Sequence, residues 1–591
     1  MASSIEQHLE NLERRFRTTG VDRRTFLKVA GAAAAGTAFS AGAARYAGPA
    51  AAATASARQA TGDQTFYHFN LQEDPVSFDW NLNLYTQAEE ETFAGLLTFD
   101  SDLNAIPDWA ERFEPNADAS VWTFYLRQDN KGWTNGDPVT AEDFVWSFTR
   151  QLDPANAAAY AGFLFDIKNA EAFNTGTGVD GKALTGADLG LKAIDQWTLE
   201  VTMEGPRAYF PQVVAYLAAF PSHRPSVEQH GAEKWASGEV PLVSNGPFKL
   251  DRWEHDVVVE LSKNEGYWNA EAIQLTKVYD PIVASDTAVQ VYERGEGTLQ
   301  LDWVQVGAAD LPRYQQDPAL ATQLKQYVYP GIWMLVPSNG RPPFDKIEVR
   351  RALSHAVDRT RLAELTQGLA IEAYGMVPIG VYGYFEDPAI NDLQKFDPQL
   401  AMDALKGTEF EGGQGWPEIT MHMRGSEEHL NAELMANDIV SQLKEHLNMN
   451  LKIQVWPEAS WRPELFKNEF DLVWIRWWYD YPDPNNGYGD MFYSRKSSGK
   501  RQAWSNAEFD DLVNAGKGEP DLEKRLEIYK QAERIIQDDV GYIPVVYRVD
   551  QYAFKPWVRG VPTNRQGFVV PDGNIYVRML TEVSIDGRPA E

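Results

Sequence analysis

An alternation of strand-like and helical patterns between residues 338 and 549 is the feature that most constrains the fold. Residues 419–423 and 451–455 alternate apolar and polar side chains, as half-buried strands do. Residues 430–447 lie between them and carry the apolar period of a helix. A further apolar run follows from Phe470. This order of elements predicts an α/β domain with a mostly parallel sheet and right-handed crossovers.

The run Phe470–Ile475 is rich in β-branched and aromatic residues, which predicts a strand buried on both faces. Asp480 follows this strand, within the aromatic residues Trp477, Trp478, Tyr479 and Tyr481. The carboxyl ends of strands in an open sheet face the crevice where ligands bind. A carboxylate among aromatic rings there is typical of a site for a cationic or hydrogen-bonding small molecule. The alternative is a core strand followed by a solvated turn.

The N-terminus has the composition of an export signal. An arginine pair at Arg23–Arg24 precedes Phe-Leu-Lys, an Ala/Gly-rich stretch and small residues up to Ala57. This resembles the twin-arginine signal, although Asp22 replaces the usual Ser or Thr. We expect residues 1–57 to be a signal peptide and the protein to be exported, to the periplasm or the outer face of the cytoplasmic membrane.

Composition excludes several classes of protein. The chain has 591 residues, no cysteine and a formal net charge of −31. The lack of cysteine excludes disulfides, thiolate metal sites and a lipoprotein anchor. The negative charge repels phosphate backbones and anionic lipids, so no nucleic-acid partner is expected. No metal site or cofactor is predicted either, and the G-x-G-x-x-G pattern at Gly176–Gly181 follows no strand and predicts a loop.

Several blocks of the chain, spread over nearly its whole length after the signal, resemble the extracytoplasmic solute-binding proteins of oligopeptide and dipeptide ABC transporters. The resemblance is closest to the oligopeptide-binding members. The blocks are Trp133–Phe144, Ser244–Leu250 with Asn264–Trp268, Phe344–Leu353 with Ala356–Arg359, Trp477–Pro484, and Tyr529–Glu533 with Ile543–Val545 and Lys555–Trp557.

The resemblance implies a two-lobed type II periplasmic-binding-protein fold (cluster C) with an extra third domain. The lobes would be joined by hinge strands and close over the ligand. We expect the first lobe to combine residues 61–99, 214–337 and 550–591. The extra domain would be residues 100–213, and the second lobe residues 338–549.

The resemblance also implies a set of ligand-binding residues. The family's acid that pairs with the peptide α-amine corresponds to Asp480, and its pocket tryptophans correspond to Trp477 and Trp461. Trp333 and Tyr547 fall in segments that reach the cleft, and Arg424 is offered by position for the peptide carboxylate. Arg424 could equally be a solvated strand end. The aromatic frame of Asp480 adds Trp478 and Tyr479.

The expected function is a non-enzymatic, monomeric receptor that delivers short peptides to an ABC permease. In the family, peptides are held mainly through their main chain, like an added strand. An oligosaccharide receptor is the first alternative, because sugar rings could stack on Trp461, Trp477 and Trp478. An exported hydrolase is the second, and it rests only on the signal and the many carboxylates.

Overall fold

The computed structural model describes residues 62–82, 88, 90–297, 299–425, 431–495, 501–571 and 577–589. The predicted signal peptide, with Arg23 and Arg24, lies outside these residues. In the described part of the chain, no helix is long and apolar enough to cross a membrane.

The strands follow one another along nearly the whole described chain. They are β1 (Thr65–Tyr67), β2 (Leu97–Phe99), β3 (Ala105–Pro107), β4 (Ala110–Pro115), β5 (Val121–Leu126), β6 (Leu191–Asp195), β7 (Thr198–Thr202), β8 (Phe248–Glu254), β9 (Val258–Lys263), β10 (Lys277–Pro281), β11 (Trp303–Gln305), β12 (Leu324–Pro337), β13 (Ala370–Glu372), β14 (Ile419–Arg424), β15 (Leu451–Trp456), β16 (Leu472–Trp478), β17 (Ile543–Phe554), β18 (Val558–Arg559) and β19 (Ser584–Ile585).

The α-helices connect and flank these strands. They span Ala141–Leu152, Ala170–Asn174, Phe210–Val214, Arg224–His230, Ser285–Arg294, Leu311–Gln316, Pro318–Ala321, Ile347–His355, Arg359–Leu365, Pro388–Asn391, Pro398–Ala404, Ala432–Leu447, Glu458–Leu465, Pro484–Gly487, Ala507–Gly518, Leu522–Asp538 and Met579–Glu582.

Two four-stranded sheets are built from the first half of the chain. One has the order β1-β10-β9-β8, and the other is the antiparallel sheet β4-β5-β7-β6. The second sheet falls within residues 100–213, the range expected for the extra domain. The helix Ala141–Leu152 packs beside it and begins at a capping box, in which Asp143 accepts from the backbone N–H of Thr140 (2.8 Å).

The largest sheet has the order β11-β17-β12-β16-β14-β15, with β13 added beside β17. Strands β12 and β17 run antiparallel to each other, with a break in register between Val328 and Ile332. Every residue of β17 is buried. These two long strands are second and third in that order, so they join β11 and β13 on one side to β16, β14 and β15 on the other.

The prediction of a mostly parallel sheet is wrong. In the described part of this sheet, β14 pairs in parallel with β15 and β16, but β12, β13, β16 and β17 meet through antiparallel pairings. The helical crossovers predicted between β14, β15 and β16 are present. The error arises because β16 also pairs with β12, a strand more than a hundred residues earlier in the chain that enters from the opposite direction.

Strand β16 also runs further than the sequence predicts, to Trp478 rather than Ile475. Its last residue lies opposite Gly331 of β12. A Cβ atom on Gly331 would lie 1.9 Å from the Trp478 ring. Because glycine has no side chain, Gly331 leaves room for the indole of Trp478. The pairing of β16 with β12 therefore continues to the start of the loop that carries Asp480.

Replacing Gly331 with alanine should destabilise this edge of the sheet, because the indole of Trp478 would have to move. Overpacking of this kind costs about 1–3 kcal/mol. Gly307→Ala is the control, since a Cβ atom there would meet nothing within 4 Å. Urea unfolding of both variants measures the difference, and equal midpoints would show that the close packing at Gly331 is unimportant.

Candidate functional site

The loop after β16 carries the candidate site and is fixed at both ends. At its start, the N–H of Tyr479 donates to the carbonyl of Pro330 (2.8 Å). At its far end, Asp483 caps the helix Pro484–Gly487 by accepting from the N–H of Asn485 (2.8 Å). Asp480 lies between these two anchors, so its position is set by backbone contacts on both sides.

Asp483 is the fully buried carboxylate of this loop. The guanidinium of Arg525 donates to both of its oxygens, at 2.5 and 2.7 Å, and each side chain is 1% exposed. Arg525 also donates to the carbonyl of Gly516 (2.7 Å). Burial alone would lower the pKa of Arg525, but the charge of Asp483 raises it well above its ordinary value. The pair ties the loop to the helices Ala507–Gly518 and Leu522–Asp538.

Asp480 is partly exposed and has no ion pair in the described part of the chain. Burial, followed by repulsion from Asp490, raises the pKa of its carboxyl to about 6. Arg501, a hydrogen bond from Asn486 and Arg462 each oppose this rise. The Asp480 carboxylate is thus costly to ionise and forms no ion pair with any described residue, as expected of a group that receives a cation from outside.

Tyr479 and Tyr481 flank Asp480 but point into different surroundings. Tyr479 is 2% exposed, and its hydroxyl donates to the carbonyl of Met376 (3.2 Å). The ring of Tyr481 stacks on that of Tyr209, with centroids 5.7 Å apart and planes at 9°. Its hydroxyl donates to Asp490 (2.8 Å). Tyr481 therefore joins this loop to the region of residues 100–213.

Trp477 and Trp478 lie on opposite faces of the sheet, because successive side chains of a strand alternate. The indole N–H of Trp477 donates to Asn486 (2.8 Å), the residue that also bonds to Asp480. Trp478 instead packs edge-on against Trp333, with centroids 6.0 Å apart. Trp333 is fully buried. The structure thus brings Trp477 to Asp480 and places Trp478 and Trp333 together on the other face.

The structure shows the surroundings of the other three residues predicted to bind ligand. Trp461 is 5% exposed and stacks on Phe470, with ring centroids 5.9 Å apart. Tyr547 shares its face of the sheet with Trp477, and its hydroxyl donates to the carbonyl of Gly375 (2.8 Å). Arg424 ends β14 and is partly exposed. The ligand-binding roles of these residues stay predictions.

Sequence reasoning missed four residues beside Asp480, namely Asn486, Asp490, Arg462 and Arg501. Asn486 connects the group, because its amide also donates to Asp490 (3.3 Å). The guanidinium carbon of Arg501 lies 4.7 Å from the centroid of the Trp477 ring. Asn486 and Asp490 lie in the stretch 482–490, directly after the Asp480 cluster, and its high content of Pro, Asn and Gly was a usable signal of a turn beside the site. Nothing in the sequence around Arg462 or Arg501 separates these two arginines from surface arginines.

The pH dependence of ligand binding follows from the raised pKa of Asp480. A cationic ligand needs the ionised carboxylate, so its affinity should fall about tenfold per pH unit below the pKa of about 6. The stability of the free protein changes with pH in the opposite direction. Ionising the Asp480 carboxyl destabilises the fold above that pKa, and this cost is lost as the pH falls. Titration calorimetry between pH 4.5 and 7.5 measures the first effect. An affinity that stays constant over that range would contradict it.

Comparison with known proteins adds independent findings. The model of a family described as bacterial extracellular solute-binding proteins, family 5 middle, matches residues 104–499. The oligopeptide-binding protein OppA of Bacillus subtilis is 28% identical over 529 residues, which cover 87% of this chain and 92% of OppA. The periplasmic OppA of Salmonella typhimurium is 30% identical over 508 residues, covering 84% of this chain and 88% of that protein.

Among solved structures, the unliganded open form of the periplasmic murein tripeptide-binding protein MppA superposes with a TM-score of 0.75. It is 23% identical and the match covers 89% of this chain and 98% of MppA. The expected type II periplasmic-binding-protein fold is confirmed by this likeness. The exact domain boundaries stay a prediction.

Proposed function

We propose that this chain, which belongs to the bacterial extracellular solute-binding proteins of family 5, captures short peptides outside the cytoplasm and delivers them to an ABC transporter permease. The observation that carries the proposal for the site is Asp480, a carboxylate of raised pKa without an ion-pair partner in the described part of the chain. A peptide offers one invariant cation, its α-ammonium group. Asp480 is suited to receive it, and main-chain hydrogen bonds would hold the rest of the peptide.

The names of the relatives support a peptide over a sugar. The OppA proteins of Bacillus subtilis and Salmonella typhimurium are named as oligopeptide-binding proteins. The rings expected to stack on sugars are already covered in part, since Arg501 lies over Trp477 and Phe470 over Trp461. The protein acts as a monomeric receptor rather than an enzyme, in line with a family of solute-binding proteins.

A thermal-shift screen of di- to pentapeptides against cello- and xylo-oligosaccharides tests this function. A ligand at 100 times its Kd adds about 2.7 kcal/mol to the free energy of unfolding, which raises the melting temperature measurably. Peptides should shift the melting temperature and sugars should not. A shift with sugars alone would favour the oligosaccharide receptor over the peptide receptor. Hydrolysis of the peptides or of the oligosaccharides would support the exported hydrolase.

Export through the twin-arginine route is a separate part of the proposal, based on Arg23–Arg24 and the small-residue stretch after them. Replacing both arginines with lysine should leave a folded precursor in the cytoplasm, since the pair is the recognised element. Replacing Arg14 and Arg15 with lysine is the matched control and should leave export intact. Fractionation and immunoblotting measure the outcome, and normal secretion of the Arg23→Lys, Arg24→Lys variant would show that the signal is of the general type.

A further inference from the structure

Arg501 places a positive charge in the candidate site, and binding the main chain of a peptide does not require such a charge. Its guanidinium carbon is 4.7 Å from the centroid of the Trp477 ring and 5.6 Å from that of Phe466. In the described part of the chain, no hydrogen bond or ion pair engages its guanidinium. The two aromatic rings hold the planar group in place by cation–π contact. Its five N–H donors are therefore held in position, and none of them is used by a described residue.

Arg462 adds a second positive charge to the same place. It lies on the helix Glu458–Leu465, is exposed, and interacts electrostatically with both Arg501 and Asp480. Burial, followed by the charge of Arg462, lowers the pKa of Arg501. Arginine nevertheless stays charged at any physiological pH. Two like charges are thus held near each other, which is unfavourable unless anions compensate for them.

The compensating anions in the unliganded site are Asp480 and Asp490, which both attract Arg501. Asp490 already accepts hydrogen bonds from Tyr481 (2.8 Å) and Asn486 (3.3 Å). A peptide ammonium bound at Asp480 would neutralise the other anion. The arginines would then repel each other with less compensation, so the bound state favours an additional negative charge beside the ammonium.

We propose that Arg501, assisted by Arg462, binds an acidic side chain on one of the first three residues of the peptide. This inference rests on the proposed function, because it assumes that the peptide amine lies at Asp480. The planar fork of a guanidinium matches a carboxylate in a bidentate geometry. The receptor is therefore selective for peptides that carry aspartate or glutamate close to the N-terminus, rather than indifferent to side chains.

The test compares tetra-alanine with variants that carry glutamate, glutamine or lysine at position 1, 2 or 3. Titration calorimetry should show glutamate preferred over glutamine by about tenfold or more at one position, with lysine disfavoured there. Arg501→Gln should bring that ratio close to one. The ratio compares two peptides on the same variant, so it is insensitive to any general change in affinity that follows from losing a charge beside Asp480. Arg462→Gln should reduce the ratio in part. Because Arg462 is exposed, this substitution should leave the fold intact.

Arg112→Gln is the matched control, since Arg112 is an exposed arginine paired with Glu114 in the region of residues 100–213. It should leave the ratio unchanged. Binding of tetra-alanine with no glutamate preference at any position would overturn the inference and leave the proposed function intact. Failure of all peptides to bind would overturn the proposed function itself. A uniform gain in affinity on Arg501→Gln, with the glutamate-to-glutamine ratio unchanged, would show that Arg501 only competes with the ligand amine for Asp480, and this too would overturn the inference.

Discussion

Replacing Asp480 with asparagine should weaken the binding of peptides with a free amine by roughly 10²–10⁴ in Kd, while leaving the fold intact. The variant keeps the shape of the side chain and some of its hydrogen bonding but removes the charge. Breaking a buried ion pair on one side costs about 3–5 kcal/mol, because the remaining charge stays desolvated. In the complex that remaining charge is the peptide ammonium.

N-acetylated peptides supply the control for this prediction, since they lack the charged amine. They should bind the native protein poorly and lose much less affinity on Asp480→Asn. The four affinities form a cycle whose coupling energy isolates the amine–carboxylate contact. A coupling energy below about 0.5 kcal/mol lies within the error of independent sites and would rule out this role for Asp480.

The main competing explanation for Asp480 is structural, as a cap for the turn that follows it. The structure already supplies that cap, because Asp483 accepts from the N–H of Asn485. A purely structural role predicts that Asp480→Asn lowers the melting temperature and affects both kinds of peptide equally. The receptor role predicts the opposite pattern. Since the pKa of Asp480 is raised to about 6, removing its charge should not destabilise the unliganded protein.

Replacing Asp483 with asparagine should lower the free energy of unfolding by about 3–5 kcal/mol, the largest stability effect we expect near the site. Asparagine preserves the helix cap but leaves the guanidinium of Arg525 buried at 1% exposure without its anion. Urea unfolding followed by circular dichroism measures the loss. Because proteins with several domains can unfold in more than one step, the transition to compare is that of residues 338–549, the predicted second lobe.

The control for Asp483 is an ion pair whose side chains are both exposed. Glu239 pairs with Lys234, and both side chains are more than half exposed, so Glu239→Gln should cost at most about 1 kcal/mol. A double variant, Asp483→Asn with Arg525→Met, should be less destabilised than Asp483→Asn alone, because no charge is then buried unpaired. Equal losses for Asp483→Asn and Glu239→Gln would show that the buried pair is unimportant for stability.

Local features of the chain were predictable because their causes lie within a few residues. The apolar period of residues 430–447 corresponds to the helix Ala432–Leu447, and the alternation at residues 419–423 to β14. The capping box at Thr140 needs only Asp143, three residues away. The glycines of Gly176–Gly181 lie in a loop, as their lack of a preceding strand indicated.

The candidate site depended on the tertiary structure for most of its geometry. The sequence determined that Asp480 follows a buried strand among aromatic residues, and that the chain resembles peptide receptors. It could not show that Asp483, three residues further on, is the acid that Arg525 buries. Nor could it show which of Trp477 and Trp478 faces Asp480, because that depends on the register between β16 and β12.

The charged groups around Asp480 show most clearly what the sequence alone could not determine. Arg462 belongs to the helix Glu458–Leu465, Asp480 to the loop after β16 and Asp490 to the helical turn Tyr488–Phe492, while Arg501 comes from a later segment. Periodicity and propensity act over one or two turns of chain, so they carry no information about which distant charges become neighbours. Hydrophobic burial and strand pairing decide that, by fixing how the elements pack, and the raised pKa of Asp480 is a consequence of that packing.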